Sequence, residues 1–474
     1  MNKFVKSELS RLICISGSSG VGKTTIAGLI SKMLGDRETL IISGDDLHLY
    51  ERSSDVWKEK THLNPSCNDL ETGYFHLMKL IEGKRISRKK YNHTTGIFDP
   101  VVDIDPASNV VYEGLHALYD ERVNKIAQCK IFVETSESLK NEWKLRRDTK
   151  KRGYTEAQVL DILSRRKIDE EKYIVGQRHN ADIIVIFEKR HDQTIDMQVV
   201  CVNESMREFS EQLKEFYDSV QQFCNICVKL SLDPSLLQEK GGNVSVKSKS
   251  GVIITESGVS MANVSLTSNF CVCKDSSVVQ SRSEEEYTQN LLQLSNSSNK
   301  SPSMETGIHL KNKAKCVIHV HPVHINALLC SQESKIVIDD LYSDVNYDYV
   351  EYTTPGYKLM QKYSGVKRVT FLESHGIVVA ADDAESAHAF AESLDKRAKV
   401  WLEKRFDTLL NVVDEEQMVK PLFPDAAVFP EKMRSINSEI SRIIMLAGLA
   451  LRSLSEEQII ELTSMKLEKI RRGV

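Results

Sequence analysis

The sequence predicts an α/β chain in three successive parts: a parallel sheet covered by helices over residues 1–203, a second α/β block over 204–405, and a helical extension over 406–474. Three observations carry this. Short apolar runs alternate with helical stretches up to about residue 200, the pattern of a parallel sheet wrapped on both faces. A glycine-rich turn joins the first run to the first helical stretch. From Asn203 onward a long amphipathic stretch gives way to strands and turns.

RLICIS (11–16) is the first buried-strand candidate, and TTIAGLISKML (24–34) has helical spacing. TLIIS (39–43), NVVYEG (109–114), KIFVET (130–135) and ADIIVIF (181–187) are further strands, with MQVVCV (197–202) as the last. MREFSEQLKEFYDSVQQFCNICVKL then reads as one amphipathic helix. GGNVSVKS, GVIITESG, FCVCKD, CVIHVH and RVTFLES are strands of the second block, and LSNSSNKSPS (294–303) is a Ser/Asn-rich loop. AESAHAFAESLDKRAKVWLEKRF closes that block as a helix.

The 474 residues carry 63 basic and 67 acidic side chains, a net charge of −4 with no massed basic block. Charge-driven binding to nucleic acid or to a membrane surface is therefore not expected. The start, MNKFVKSELSRL, is too short in apolar residues for a signal peptide, and the run Ile443–Leu451 is too short for a membrane helix. Ten cysteines in such a chain read as reduced thiols of a cytoplasmic compartment.

Gly17-Ser-Ser-Gly20-Val-Gly22-Lys23-Thr24 fits G-x-x-x-x-G-K-[ST] between a strand and a helix. The glycines let backbone N–H groups converge on phosphate oxygens. Lys23 adds a point charge, and Thr24, followed by Thr25, brings a hydroxyl to Mg²⁺ at the positive end of the helix. GDDLH (44–48) follows the second strand, at the sheet end where ligands bind. A carboxylate there can take the proton of a hydroxyl that attacks a γ-phosphate; Asp45 and Asp46 are equally at home in a plain turn. Glu113 ends another strand and can hold Mg²⁺ directly or through water. WKLRRDTKKRG (143–153) is basic, either a solvated face or a lid whose Lys144, Arg147 and Arg152 neutralise transition-state charge.

With YNHTTGIFDP (91–100), YEGLHALYDERV (112–123) and WKLRRDTKKRGYT (143–155), the first two hundred residues resemble the phosphoribulokinase/uridine kinase family, nearest its phosphoribulokinase branch. The resemblance implies an ATP- and Mg²⁺-dependent sugar kinase. It implies Asp45 as catalytic base and Glu113 as Mg²⁺ partner. Lys144, Arg147 and Arg152 would contact phosphates, and His48, Arg52, Tyr91 and His93 would line the sugar site. Light-regulated members carry a cysteine inside the phosphate loop. This loop holds Ser18 and Ser19, with Cys14 in the strand before it, so thiol switching of that kind is not expected.

In CVIHVHPVH (316–324), His319 and His321 project to one side of a strand, a natural pair of metal ligands or two core histidines. LESHGIVV supplies His375 from another apolar strand, PSMETGIH supplies Glu305, and GGNVSVK and TESG supply turn backbone suited to an anion. Three histidines with an open position make a catalytic metal site. Together these residues resemble the class II aldolase/adducin family over about 204–405. The resemblance implies His319, His321 and His375 as ligands of Zn²⁺ or a similar ion, and Glu305 as general acid/base. It places Asn243, Ser257, Gly258 and Ser303 at the substrate phosphate. Met304 falls where some members have a second phosphate-binding serine. Tyr342, Tyr347 and Tyr352 are open candidates for the aldehyde end.

The two resemblances imply a bifunctional homo-oligomeric enzyme of small sugars or sugar phosphates. One part would phosphorylate a sugar, and the other would cleave a ketose 1-phosphate to dihydroxyacetone phosphate and an aldehyde. A pentulose-phosphate 4-epimerase or a silent assembly module are the alternatives for the second part; the related epimerases carry Asp where this chain has Glu305.

Overall fold

Arg11–Gly17 is apolar on both faces and forms β1, buried at the centre of its sheet. The computed structural model describes residues 10–294, 301–406 and 420–472. The chain divides into two units, one ending at Tyr217 and the other beginning at Asp218. The division falls inside the helix Arg207–Ser231, not in a loop. That helix buries Phe209, Leu213, Phe216, Val220, Phe223, Cys227 and Leu230, the three- and four-residue spacing of one apolar face.

In the first unit, β2 (Thr39–Ser43) follows β1. Two small antiparallel pairs come next: β3 (Ile86–Arg88) with β6 (Val102–Ile104), and β4 (Tyr91–Asn92) with β5 (Ile97–Phe98). The main sheet continues with β7 (Asn109–Glu113), β8 (Cys129–Thr135), β9 (Ile183–Lys189) and β10 (Ile195–Cys201), in the order β10-β9-β8-β1-β7-β2. All pairs are parallel except β9–β10. The last strand turns back because only a short turn separates it from β9, closed by Arg190 and Thr194, and a parallel return needs a long crossover.

The second unit builds a seven-stranded sheet from β11 (Asn243–Ser248), β12 (Gly251–Thr255), β13 (Phe270–Cys273), β14 (Cys316–Val320), β15 (Tyr347–Val350), β16 (Val369–Leu372) and β17 (Gly376–Ala381). Its order is β13-β12-β11-β14-β17-β16-β15, antiparallel apart from β15–β16. His375 is not inside a strand. It sits in the tight turn between β16 and β17, where Ser374 adopts a positive φ of 49°. Of the Ser/Asn-rich stretch 294–303, residues 295–300 lie outside the described residues.

Past residue 420 the helices Pro424–Val428, Pro430–Leu446, Glu456–Ser464 and Lys466–Arg472 belong to the second unit. Val428, Leu462, Met465 and Leu467 share a buried cluster with Met304, Val317 and Val378. Among the described residues, no helix is long and apolar enough to cross a membrane.

The ten cysteines are free thiols. One pair, Cys224 and Cys227, has Cys-x-x-Cys spacing, but it lies within the helix Arg207–Ser231. Burial pushes Cys224 up to about 12 and Cys227 well above its ordinary range, the opposite of a reactive thiolate pair.

Tyr287 ties the segment bearing Glu305 to this core. Its buried hydroxyl donates to Met304 O at 2.6 Å and accepts from Gly307 N at 3.1 Å. Tyr287→Phe leaves both backbone groups unpaired and should cost about 1–3 kcal/mol, read as a lowered midpoint in urea unfolding. An unchanged midpoint would show that this anchor is dispensable.

Candidate active sites

The end of β1 turns at Gly17 with φ 147°, and a Cβ there would lie 2.2 Å from Val133 O of β8. Only glycine fits that approach. Gly20 and Gly22 also have positive φ, and Gly22 caps the helix Lys23–Leu34. Lys23 Nζ donates to Gly17 O at 2.9 Å and Ser18 O at 2.8 Å, folding back over the loop. Burial lowers its pKa, against the pull of Glu113 and Asp45. Thr24 is exposed and Thr25 half-buried in the first helical turn. Loop, helix terminus and ammonium thus lie together, an arrangement that can hold an anion.

Asp45 and Asp46 lie on the single turn Gly44–Leu47 after β2 and face different partners. Asp46 Oδ1 accepts from Tyr91 N at 2.8 Å, and its Oδ2 lies 3.4 Å from Arg88 Nη2. Asp45 Oδ2 instead meets His93 Nε2 at 3.1 Å. Burial opposes ionisation of Asp45, but the His93 hydrogen bond and the potentials of His48, His93 and Lys23 win and hold it well below the carboxylate range. Glu113, at the end of β7, accepts from Ser43 Oγ at 3.4 Å; burial raises its pKa against Lys23.

The sugar-side residues gather here. His48 stacks edge-on against Tyr91 at 5.1 Å, and Tyr91 against His93 at 5.1 Å. Arg52 donates to the carbonyls of His93 and, at 3.4 Å, Thr94. His62, absent from the sequence reading, joins them 5.5 Å from the His48 ring, with Arg166 Nη2 at 3.3 Å from its Nδ1. No local motif marks either residue.

Lys144, Arg147 and Arg152 sit on the helix Glu137–Arg152 and converge on one buried carboxylate. Asp148 lies 3.0 Å from Lys144 Nζ, 2.8 Å from Arg147 Nε and 3.5 Å from Arg152 Nη1. Burial and the neighbouring Arg166 lower the Lys144 ammonium to about 8, against Asp148. These side chains are thus not a plain solvated face but a cluster of cations gathered on a single counter-ion.

In the second unit, His319 Nε2 lies 3.0 Å from His321 Nε2 and 3.3 Å from His375 Nε2. All three rings are buried. His319 Nδ1 donates to Ile377 O at 3.0 Å, leaving its Nε2 as a lone pair. The three ligand nitrogens lie within 4.8 Å of one another, and with their Nε2 lone pairs free the donor set fits a divalent transition metal. Glu305 stands beside it, Oε2 3.3 Å from His319 Nε2 and Oε1 3.5 Å from His375 Nε2. Burial would raise its pKa, yet His319, His375 and the Asn243 amide lower it to about 2.

A cavity opens on this cluster, lined by Ser257, Gly258 and Ser303 as well as His321, His375 and Glu305. Asn243 also lines it, but its amide is engaged: Nδ2 donates to Glu305 Oε2 at 2.7 Å and Oδ1 meets His309 Nε2 at 2.5 Å. It braces the carboxylate in this structure. None of the three candidate tyrosines lines the cavity: Tyr342 donates to Leu394 O at 2.8 Å, Tyr347 to Asp339, and Tyr352 packs on the core. Asp425, Glu468 and Arg471 do line it, and sequence reading passed over all three.

Two family models match the chain. Residues 12–194 match the "Phosphoribulokinase / Uridine kinase family", and residues 221–402 match "Class II Aldolase and Adducin N-terminal domain". A phosphoribulokinase of Synechocystis is 35% identical over 174 residues, covering 37% of this chain and 52% of that protein. A uridine kinase of Borrelia turicatae is 32% identical over 182 residues, covering 37% of this chain and 85% of that protein. The chain therefore spans about half the length of the first of these relatives. A solved N-terminal class II aldolase domain from Thermoplasma acidophilum aligns over 39% of this chain and 93% of its own, at 19% identity and a TM-score of 0.35. By its first part the chain belongs to the phosphoribulokinase/uridine kinase family, and it carries a class II aldolase/adducin domain in its second.

Proposed function

We propose that this chain is a bifunctional cytoplasmic enzyme: an ATP- and Mg²⁺-dependent sugar kinase joined to a metal-dependent aldolase. The kinase phosphorylates the C1 hydroxyl of a ketopentose or its phosphate. The aldolase cleaves a ketose 1-phosphate to dihydroxyacetone phosphate and an aldehyde. One observation carries this reading: each unit sets a carboxylate beside its candidate reactive centre, Asp45 3.1 Å from His93 on the turn after β2, and buried Glu305 within 3.5 Å of His319 and His375.

In the first unit, Asp45 takes the proton of the sugar hydroxyl as it attacks the γ-phosphate. The loop amides and Lys23 hold the nucleotide phosphates. Glu113 reaches Mg²⁺, and Lys144, Arg147 and Arg152 balance the charge of the phosphoryl group in flight. His48, Arg52, Tyr91 and His93 bound the sugar.

In the second unit, Ser257, Gly258 and Ser303 hold the substrate phosphate at one end of the cavity. His319, His321 and His375 would hold Zn²⁺ or a similar ion, which when bound supplies Lewis-acid polarisation of the substrate carbonyl. Glu305 moves the proton at the carbon where the bond breaks, and Asn243 keeps its carboxylate aimed there.

Asp45→Asn should lower phosphoryl transfer by roughly 10²–10⁴-fold. ATP binding should persist, since Lys23 and the loop are intact; a variant with wild-type turnover removes Asp45 from this role.

His319→Ala or His375→Ala should abolish metal binding and cleavage while leaving phosphoryl transfer in place. Stoichiometric metal in both variants would rule out the three-histidine site.

With a suitable ketose, ATP and Mg²⁺, the protein should release dihydroxyacetone phosphate. Omitting ATP should stop it, and the purified C1 phosphate should restore it. Phosphate held away from the reacting carbon lends binding energy to the cleavage step. Equal cleavage without ATP would make the two activities independent, and an epimerase would release no three-carbon fragment.

A further inference from the structure

His321 is the ligand candidate whose support comes from outside the aldolase-like segment. Its Nε2 points at His319, so its Nδ1 faces the other way. There it meets Asp425 Oδ2 at 3.5 Å. Asp425 lies on the short helix Pro424–Val428, beyond residue 402 where the aldolase match ends. Its side chain is buried, and its Oδ2 has no hydrogen-bond partner. Its Oδ1 accepts from Arg471 Nη1 at 2.8 Å. Arg471 is held in turn by Glu468 Oε1 at 3.3 Å and by Lys240 O at 3.3 Å.

A buried carboxylate oxygen without a donor is costly unless something uses it. His321 Nδ1 lies beside it at 3.5 Å. Gly241 keeps the two in reach: a Cβ there would lie 2.9 Å from Asp425 Oδ2 and 2.9 Å from His321 Nδ1. A histidine that ligates through Nε2 needs an acceptor at Nδ1 to fix its tautomer and ring orientation. His319 finds one in Ile377 O, within the sheet. Among the described residues, the carboxylate beside His321 Nδ1 is that of Asp425, outside the aldolase-like segment.

We propose that Asp425 is the positioning residue for His321, and that the C-terminal segment completes the metal site through it, with Arg471 fixing the carboxylate from behind. This rests on the three-histidine reading above. The carboxylate accepts the Nδ1 proton of His321, orients the ring and raises the basicity of Nε2 toward the ion.

The test measures Zn²⁺ affinity of the full-length protein by competition with a chromophoric chelator, and the visible spectrum of the Co²⁺-substituted protein. Wild type should bind one ion per chain and His319→Ala none. Asp425→Asn should bind roughly 10- to 100-fold more weakly and shift the Co²⁺ bands. Gly241→Ala wedges a methyl between the two groups without touching either residue's identity, and should weaken binding in the same direction. Both variants should keep the metal-free circular dichroism of wild type. Wild-type affinity and spectrum in Asp425→Asn, or in Gly241→Ala should Asp425→Asn fail to fold, overturn the proposal while leaving the three-histidine site standing. Absence of metal from wild type overturns both.

Discussion

Each site depends on a strand that is paired on both sides. β14 lies between β11 and β17, with His319 opposite Asn243 on one neighbour and Val378 on the other. That double register sets where the His319 ring points and which carbonyl, Ile377 O, receives its Nδ1 proton. A slip of one residue would turn His319 to the opposite face. β1 holds the same place in its own sheet, between β7 and β8. It delivers Gly17 against Val133 O, so the phosphate loop begins from a point that cannot shift.

Charge is then settled locally in each site. Asp45 is kept ionised by His93, His48 and Lys23, Lys144 by Asp148, and Glu305 by His319 and His375. Buried charges are tolerable when each has a partner. The same pairing sorts apparently equivalent residues. Asp46 is taken up by Tyr91 and Arg88 as a brace for the β4–β5 hairpin, while the neighbouring Asp45 meets His93.

The C-terminal helices change the meaning of the second site. Residues 424–472 contribute core side chains and three charged groups to the cavity wall. Arg471 packs its backbone within 3.4 Å of where a Cβ on Gly258 would stand. The far end of the chain therefore shapes the pocket that the aldolase-like segment begins.

Much of this was legible in order along the chain. Apolar runs of strand length located six strands of the first sheet to within two residues, because buried parallel strands need continuous hydrophobicity. The phosphate loop declares itself because glycine spacing, Lys23 and the following helix are all local. The pairing of His319 with His321 is legible from their spacing, although His321 stands just past the end of β14. The rest needed the tertiary structure, because it depends on residues far apart in sequence. The antiparallel return of β10, the turn that carries His375, the different partners of Asp45 and Asp46 and the bracing of Glu305 by Asn243 are of this kind. So are His62 with Arg166, 104 residues apart, and Asp425 with Arg471, 46 apart. The sequence by itself determined the two sheets and the residues with recognisable spacing. Only the packed chain decided which charge faces which, since a lone His, Asp or Arg carries no local pattern and acquires its partner when burial forces one upon it.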